Sequence, residues 1–104
     1  MKVRVCAVGD VPPDGMACFD VSGKRVLIAN VQDQFYAVGD TCTHAESSLA
    51  EGYLDVEAGT VECATHNAVF SLANGEALGF PAEEPVPSFP VIVEGESIYI
   101  EMDD

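Results

Sequence analysis

Positive charge is what this chain has least of. Four Lys+Arg residues face 18 Asp+Glu residues, for a net charge of −14. Such a surface repels a phosphate backbone, which excludes general nucleic-acid binding, and it argues against docking on anionic lipid. Long apolar runs are also missing. No window reaches the roughly 20 apolar residues of a membrane-spanning helix, so no membrane partner is expected. After Lys2 and Arg4, the apolar stretch Val5-Cys6-Ala7-Val8 is broken by Gly9-Asp10, too short for a secretory signal. The expectation is a cytoplasmic protein, in a compartment that keeps thiols reduced. Repeats, low-complexity tracts and long amphipathic helical patterns are absent, which leaves an α/β fold without support.

What remains suits one domain. The 104 residues, 48% of them hydrophobic, can bury a single core. The acidic surface has two compatible readings, solubility and steering of an oppositely charged partner. Steering predicts salt-sensitive association, since screening sets in over about 10 Å at 0.1 M ionic strength.

The chain reads as β almost throughout. Lys2–Val8 alternates, and Val11-Pro12-Pro13-Asp14-Gly15 turns it. Met16–Val21 and Lys24–Ala29 flank Ser22-Gly23, a hairpin signal. Gln34–Val38 follows the connection Val31-Gln32-Asp33. Ala45–Ala50 suggests a short helical turn, and Thr60–Glu62 and Ala68–Leu72 read as brief strands. Asn74-Gly75 should join Ala68–Leu72 to a strand at Glu76–Leu78. Phe80–Pro90, with four prolines, should be irregular and stiff. Val91–Val93 and Ser97–Glu101 form a last hairpin. The fold class is therefore all-β: an antiparallel base with a small inserted subdomain at about residues 40–81, the whole of 1–104 being one domain.

Two of the four cysteines fit this strand pattern. Cys6 and Cys18 sit among alternating apolar residues and read as small core residues, not as a disulfide. The other two belong to a doubled motif. Cys42-Thr43-His44 and Cys63-Ala64-Thr65-His66 each offer one thiolate and one imidazole within a tight loop, separated by residues 45–62. Two such loops make a four-donor metal site of mixed softness. A structural Cys2His2 zinc is one occupant to weigh. The usual zinc finger, however, pairs Cys with Cys in one half and His with His in the other, whereas here each half has one of each.

That spacing resembles the Rieske motif, in which a [2Fe–2S] cluster has two Cys on one iron and two His on the other. The resemblance extends through Asp40-Thr41-Cys42-Thr43-His44, Leu49-Ala50-Glu51-Gly52-Tyr53-Leu54-Asp55 and Phe70-Ser71-Leu72-Ala73-Asn74-Gly75-Glu76-Ala77-Leu78-Gly79-Phe80-Pro81-Ala82. These stretches are similar to the soluble Rieske ferredoxins of aromatic-ring-hydroxylating dioxygenases, such as the biphenyl and carbazole systems. The resemblance implies a Rieske fold, an antiparallel β-sandwich base carrying a cluster-binding subdomain. It implies that Cys42 and Cys63 ligate the inner iron and His44 and His66 the outer one. Ala45 and Asn67 replace the family's usual Gly after each ligand His, and Ala64 replaces a common Pro. These departures bear on loop shape rather than on ligation.

The resemblance also implies a role. The chain would be a monomeric one-electron carrier and not itself an enzyme. It would accept from a flavoprotein ferredoxin reductase that uses NAD(P)H and deliver to a terminal Rieske non-haem iron oxygenase. Rieske centres span about −150 to +300 mV, against about −400 mV for plant-type ferredoxins. High-potential respiratory members carry an extra disulfide between the ligand loops and Ser and Tyr hydroxyl donors after the last His. Here those positions are Ser47, Thr65, Ala68 and Phe70, which implies a midpoint below about 0 mV. Other readings remain: the small subunit of an assimilatory nitrite reductase, a zinc-based interaction module, or an oxygenase fragment. The last lacks a third His for a 2-His-1-carboxylate iron. Glu46, Glu51, Glu57 and Glu62, around the ligand loops, are ordinary solvated acids or partner contacts.

Overall fold

The strand at Lys24–Val31 is buried on both sides, and the rest of the molecule is layered around it. Side chains alternate across a strand. Here Val26 and Ile28 face one cluster of buried residues, while Leu27, Ala29 and Val31 face another. Fully burying one such side chain contributes about 1.5–3 kcal/mol. The uninterrupted apolar run Val26–Ala29 is thus the mark of a strand covered on both faces.

In a computed structural model, the described residues are 1–41, 48–64, 68–78 and 84–102. Ten strands are found among them: β1 Lys2–Ala7, β2 Gly15–Val21, β3 Lys24–Val31, β4 Gln34–Gly39, β5 Tyr53–Asp55, β6 Thr60–Glu62, β7 Val69–Ser71, β8 Ser88–Phe89, β9 Val91–Glu94 and β10 Ser97–Glu101. They form three sheets in the orders β1-β10-β9, β2-β3-β4-β8 and β5-β6-β7, and every strand pairing is antiparallel. Short 3₁₀ turns at Val8–Asp10 and Leu49–Glu51 complete the regular structure. Among the described residues no helix is long and apolar enough to cross a membrane.

Two-residue turns set the central register. Val21 pairs with Lys24 across Ser22-Gly23, and Val31 pairs with Gln34 across Gln32-Asp33. All four turn residues have positive φ (51° and 81°, then 51° and 67°), the hand that matches strand twist in tight hairpins. Cys6, Ile98 and Ile100 of the β1-β10-β9 sheet close over Val26, Ile28 and Ala37, which makes the sandwich. A bulge between Arg4 and Cys6 shifts the register of β1 against β10 and brings Cys6 into that core, 3% exposed. On the opposite face of β3, Val61 of β6 and Phe70 of β7 pack with Leu27, Ala29, Val31 and Val38.

The all-β expectation holds, with local corrections. Val31 belongs to β3 rather than to a connection. Strands β5 and β8 are additions, the latter inside the proline-rich stretch expected to be irregular. The strand expected at Glu76–Leu78 is reduced to an isolated bridge, Phe70 to Ala77, flanked by bonds from Leu78 N–H to the Val69 carbonyl at 2.8 Å and from Ser71 N–H to the Glu76 carbonyl at 2.9 Å. Asn74-Gly75 does turn the chain, but as the end of a longer loop. Gly75 N–H donates to the Ser71 carbonyl at 2.7 Å, and Gly75 alone of the pair has positive φ, 77°. The helical turn expected at Ala45–Ala50 is the 3₁₀ turn Leu49–Glu51 so far as it lies within the described residues.

The proline-rich segment acts as a strap. Val86, 2% exposed, plugs the cluster that holds Phe70. Its N–H donates to the Gly75 carbonyl at 2.9 Å, and the Gly39 N–H donates to the Pro87 carbonyl at 2.8 Å. Phe89 and Ser88 then pair with Ala37 and Val38.

Candidate metal centre

The described residues that flank each half of the Cys-His pattern are tied together by backbone pairing. The first loop leaves the end of β4. Asp40 N–H donates to the Arg25 carbonyl at 3.1 Å, Leu49 N–H donates to the Asp40 carbonyl at 2.7 Å, and Thr41 bridges Ser48 between them. Cys42 and His44 follow directly on Thr41 but lie outside the described residues. The second loop is the tip of the β6–β7 hairpin. Beyond the last ladder pair, Glu62 with Val69, the Cys63 N–H donates to the Ala68 carbonyl at 2.7 Å. His66 also lies outside the described residues.

The described residues that flank the two segments meet at Gly52. Gly52 follows the 3₁₀ turn that leaves the first loop, and a Cβ there would strike the Glu62 carbonyl oxygen and come within 3.1 Å of Ala64 N. Only glycine lets the exit of loop one press so closely on the residues that flank Cys63. Leu49 and Cys63, both 0% exposed, belong to the same buried cluster as Val61, Ala68 and Phe70.

Cys63 is therefore the member of the expected donor set whose place is known, and its place fits a thiolate ligand to a cluster. It sits at the mouth of a loop, at the end of a strand, in dry apolar surroundings. Ala68 and Phe70, the positions that bear hydroxyl donors in high-potential relatives, are fully buried and supply none. Among the described residues no three His, Cys, Asp or Glu side chains converge on a metal position.

A buried acid ties the first loop together. The Asp40 side chain is 0% exposed. Its Oδ2 accepts from Ser48 Oγ at 2.6 Å, its Oδ1 accepts from Ala50 N–H at 3.0 Å, and Arg25 Nη2 lies 3.5 Å from Oδ2. Cys18 adjoins this group. Burial pushes its thiol above the ordinary value, Arg25 acts to lower it and Asp40 to raise it. Cys6 is likewise raised by burial, with Asp10 adding to the effect. Both Cys6 and Cys18 are free thiols, in line with the sequence reading.

The sequence reading did not single out the Asp40 side chain, and it missed β5. In the row Tyr53–Glu62–Val69, paired strand to strand, Tyr53 is 63% exposed, and the row ends beside the second loop. The alternate row, Leu54–Val61–Phe70, faces the core.

The comparisons with known proteins agree with this architecture. The profile of the family described as "Rieske [2Fe-2S] domain" matches residues 1–90. The chain is 42% identical over 101 residues to the 3-phenylpropionate/cinnamic acid dioxygenase ferredoxin subunit of Shigella boydii serotype 4, covering 97% of this chain and 93% of that one. Its fold is similar to the ferredoxin of carbazole 1,9a-dioxygenase from Nocardioides aromaticivorans IC177, with a TM-score of 0.91, 31% identity and 96% of each chain covered. A complex of reduced oxygenase and oxidized ferredoxin in carbazole 1,9a-dioxygenase contains a similar chain, at TM-score 0.86 and 34% identity over 95% of this chain and 91% of that one. The protein belongs to the Rieske [2Fe-2S] domain family, and its cofactor is a single Rieske-type [2Fe–2S] cluster.

Proposed function

We propose that the Cys42 and Cys63 thiolates hold one iron of the cluster and the His44 and His66 imidazoles the other. On this reading the chain is a one-electron carrier in a multicomponent aromatic-ring-hydroxylating dioxygenase. It takes electrons from a flavin-dependent NAD(P)H reductase and passes them to the terminal oxygenase. It works as a monomer, residues 1–104 being one Rieske unit with the cluster-binding subdomain at about 40–81. The observation that carries this is the placement of Cys63, buried at the mouth of one loop, with the exit of the other loop pressed against its neighbours through Gly52.

When bound, the cluster supplies one-electron chemistry at a potential set by its mixed ligands and by hydrogen bonds to its sulfurs. This chain's own residues do the rest. Cys63 and its apolar neighbours exclude water from the inner side, while the base pairings Thr41–Ser48 and Cys63–Ala68 hold each loop closed. A site that changes little between redox states favours fast transfer. Identity to a dioxygenase ferredoxin subunit over nearly the whole chain favours the carrier over the nitrite reductase small subunit.

The ligand set is tested by His66→Ala. The expected outcome is loss of the red-brown chromophore and of electron transfer between a flavoprotein reductase and an oxygenase. Persistence of both would remove His66 from the ligand set. The absence of hydroxyl donors at Ala68 and Phe70 sets a second expectation, a midpoint below about 0 mV by protein-film voltammetry.

A further inference from the structure

A buried carboxylate is costly unless it is paired and hydrogen-bonded, and Asp40 is placed where its interactions serve a loop rather than a core. Through its side chain and backbone it binds Ser48, Leu49 and Ala50, three consecutive residues on the far side of the segment 42–47. Its other tie runs to Arg25 on β3, by ion pair and by backbone hydrogen bond. It thus spans the base of the first ligand loop and fastens it to the central sheet. It also sets a negative charge, 0% exposed, two residues before Cys42.

Building on the ligand set proposed above, we propose that Asp40 is a positioning residue for the cluster: it braces the loop that presents Cys42 and His44, and its charge lowers the reduction potential. The sign follows from electrostatics. Reduction adds an electron, and an anion in a poorly screened interior opposes that. Asparagine could keep one acceptor oxygen for Ala50 N–H but would lose the charge and the pairing with Arg25. Serine's hydroxyl, by contrast, contributes to the brace and not to the charge.

Three variants of the holoprotein separate these effects. D40N is expected to keep the cluster and show a raised midpoint. R25Q, which removes the compensating cation, is expected to shift the midpoint the opposite way and by less, since Arg25 is 59% exposed. S48A should leave the midpoint close to the parent's yet release iron to a chelator several-fold faster. A D40N midpoint equal to the parent's, or an R25Q shift of the same sign as D40N, overturns the electrostatic role. Parent-like iron release from S48A overturns the brace. Should D40N take up no cluster, R25Q and S48A decide the matter. The ligand reading fails differently: the parent itself would then lack the electron paramagnetic resonance signature of a cluster ligated by two His and two Cys.

Discussion

The two faces of β3 support unlike structures. On one side, the β1-β10-β9 sheet covers the sheet that holds the long hairpins β2–β3 and β3–β4, and most of this pairing is between neighbours in sequence, the pairing of β1 with β10 being the exception. On the other, β5, β6 and β7 have three residues each, and the second Cys-His pair falls between β6 and β7 in the sequence. Three strands that short need a buried apolar face to hold together. They hold because Val61 and Phe70 are packed on β3 and β4, because Val86 closes the cluster, and because Leu72 N–H reaches back to the Gly59 carbonyl at 3.0 Å. Apart from the pairing of β1 with β10, the base specifies itself through long local hairpins, whereas the short strands of the ligand lobe depend on packing against β3, β4 and Val86. That division lets loop shape vary without disturbing the sandwich.

The contrast can be broken most sharply at Phe70, the largest fully buried side chain of the lobe. Phe70→Ala should cost about 3–5 kcal/mol, a large share of a small domain's 5–15 kcal/mol or so. Chemical denaturation should show the loss, with bleaching of the cluster at lower denaturant than in the parent. Bleaching and unfolding that stayed at the parent's midpoint would show that the lobe does not rest on Phe70.

A glycine pair sharpens the comparison further. Gly75 and Gly95 both have positive φ, 77° and 62°. A Cβ at Gly75 would strike the Val86 carbonyl oxygen, whereas one at Gly95, in the β9–β10 turn, meets nothing within 4 Å. Gly95→Ala should therefore cost only the left-handed strain, about 1 kcal/mol. Gly75→Ala adds displacement of the strap and should exceed about 2 kcal/mol. Thermal denaturation of the two variants makes the check, and equal costs would mean that the strap yields freely.

The smallest effect concerns the base thiols. Cys6 has a folded pKa raised by burial, so its neutral form adds stability that is complete below the ordinary thiol value of about 8.5 and is lost as pH rises through the folded one. Iodoacetamide at pH 8 should modify the half-buried Cys18 before the 3%-exposed Cys6. The reverse order would place Cys6 outside the sandwich core.

Legibility in the sequence followed the same division. Alternation and the Ser22-Gly23 turn made β2 and β3 readable, because the signals are local. Gln32-Asp33 carried no glycine, yet both residues adopt positive φ, so that turn was readable only as a gap between strands. Tyr53-Leu54-Asp55 is too short to display a period, and Ser88-Phe89 is flanked by Pro87 and Pro90, which disguise a strand. Asn74-Gly75 announced a turn but not its length, which is set by packing against Val86. The four expected donors stand out by their spacing, and of these only Cys63 lies within the described residues. Asp40 was not legible, because a single acid before a ligand pair has no local signature, and its partners Arg25, Ser48 and Ala50 come from elsewhere in the chain.

The strap carries an engineering consequence. Residues 84–90 complete the ligand lobe through Val86 and, a few residues later, become the edge strand of the main sheet. A graft of only the two loops and their three short strands onto a foreign scaffold would arrive without its keystone. A transplant with a chance of holding iron has to carry this proline-rich tail, together with a host strand able to receive it.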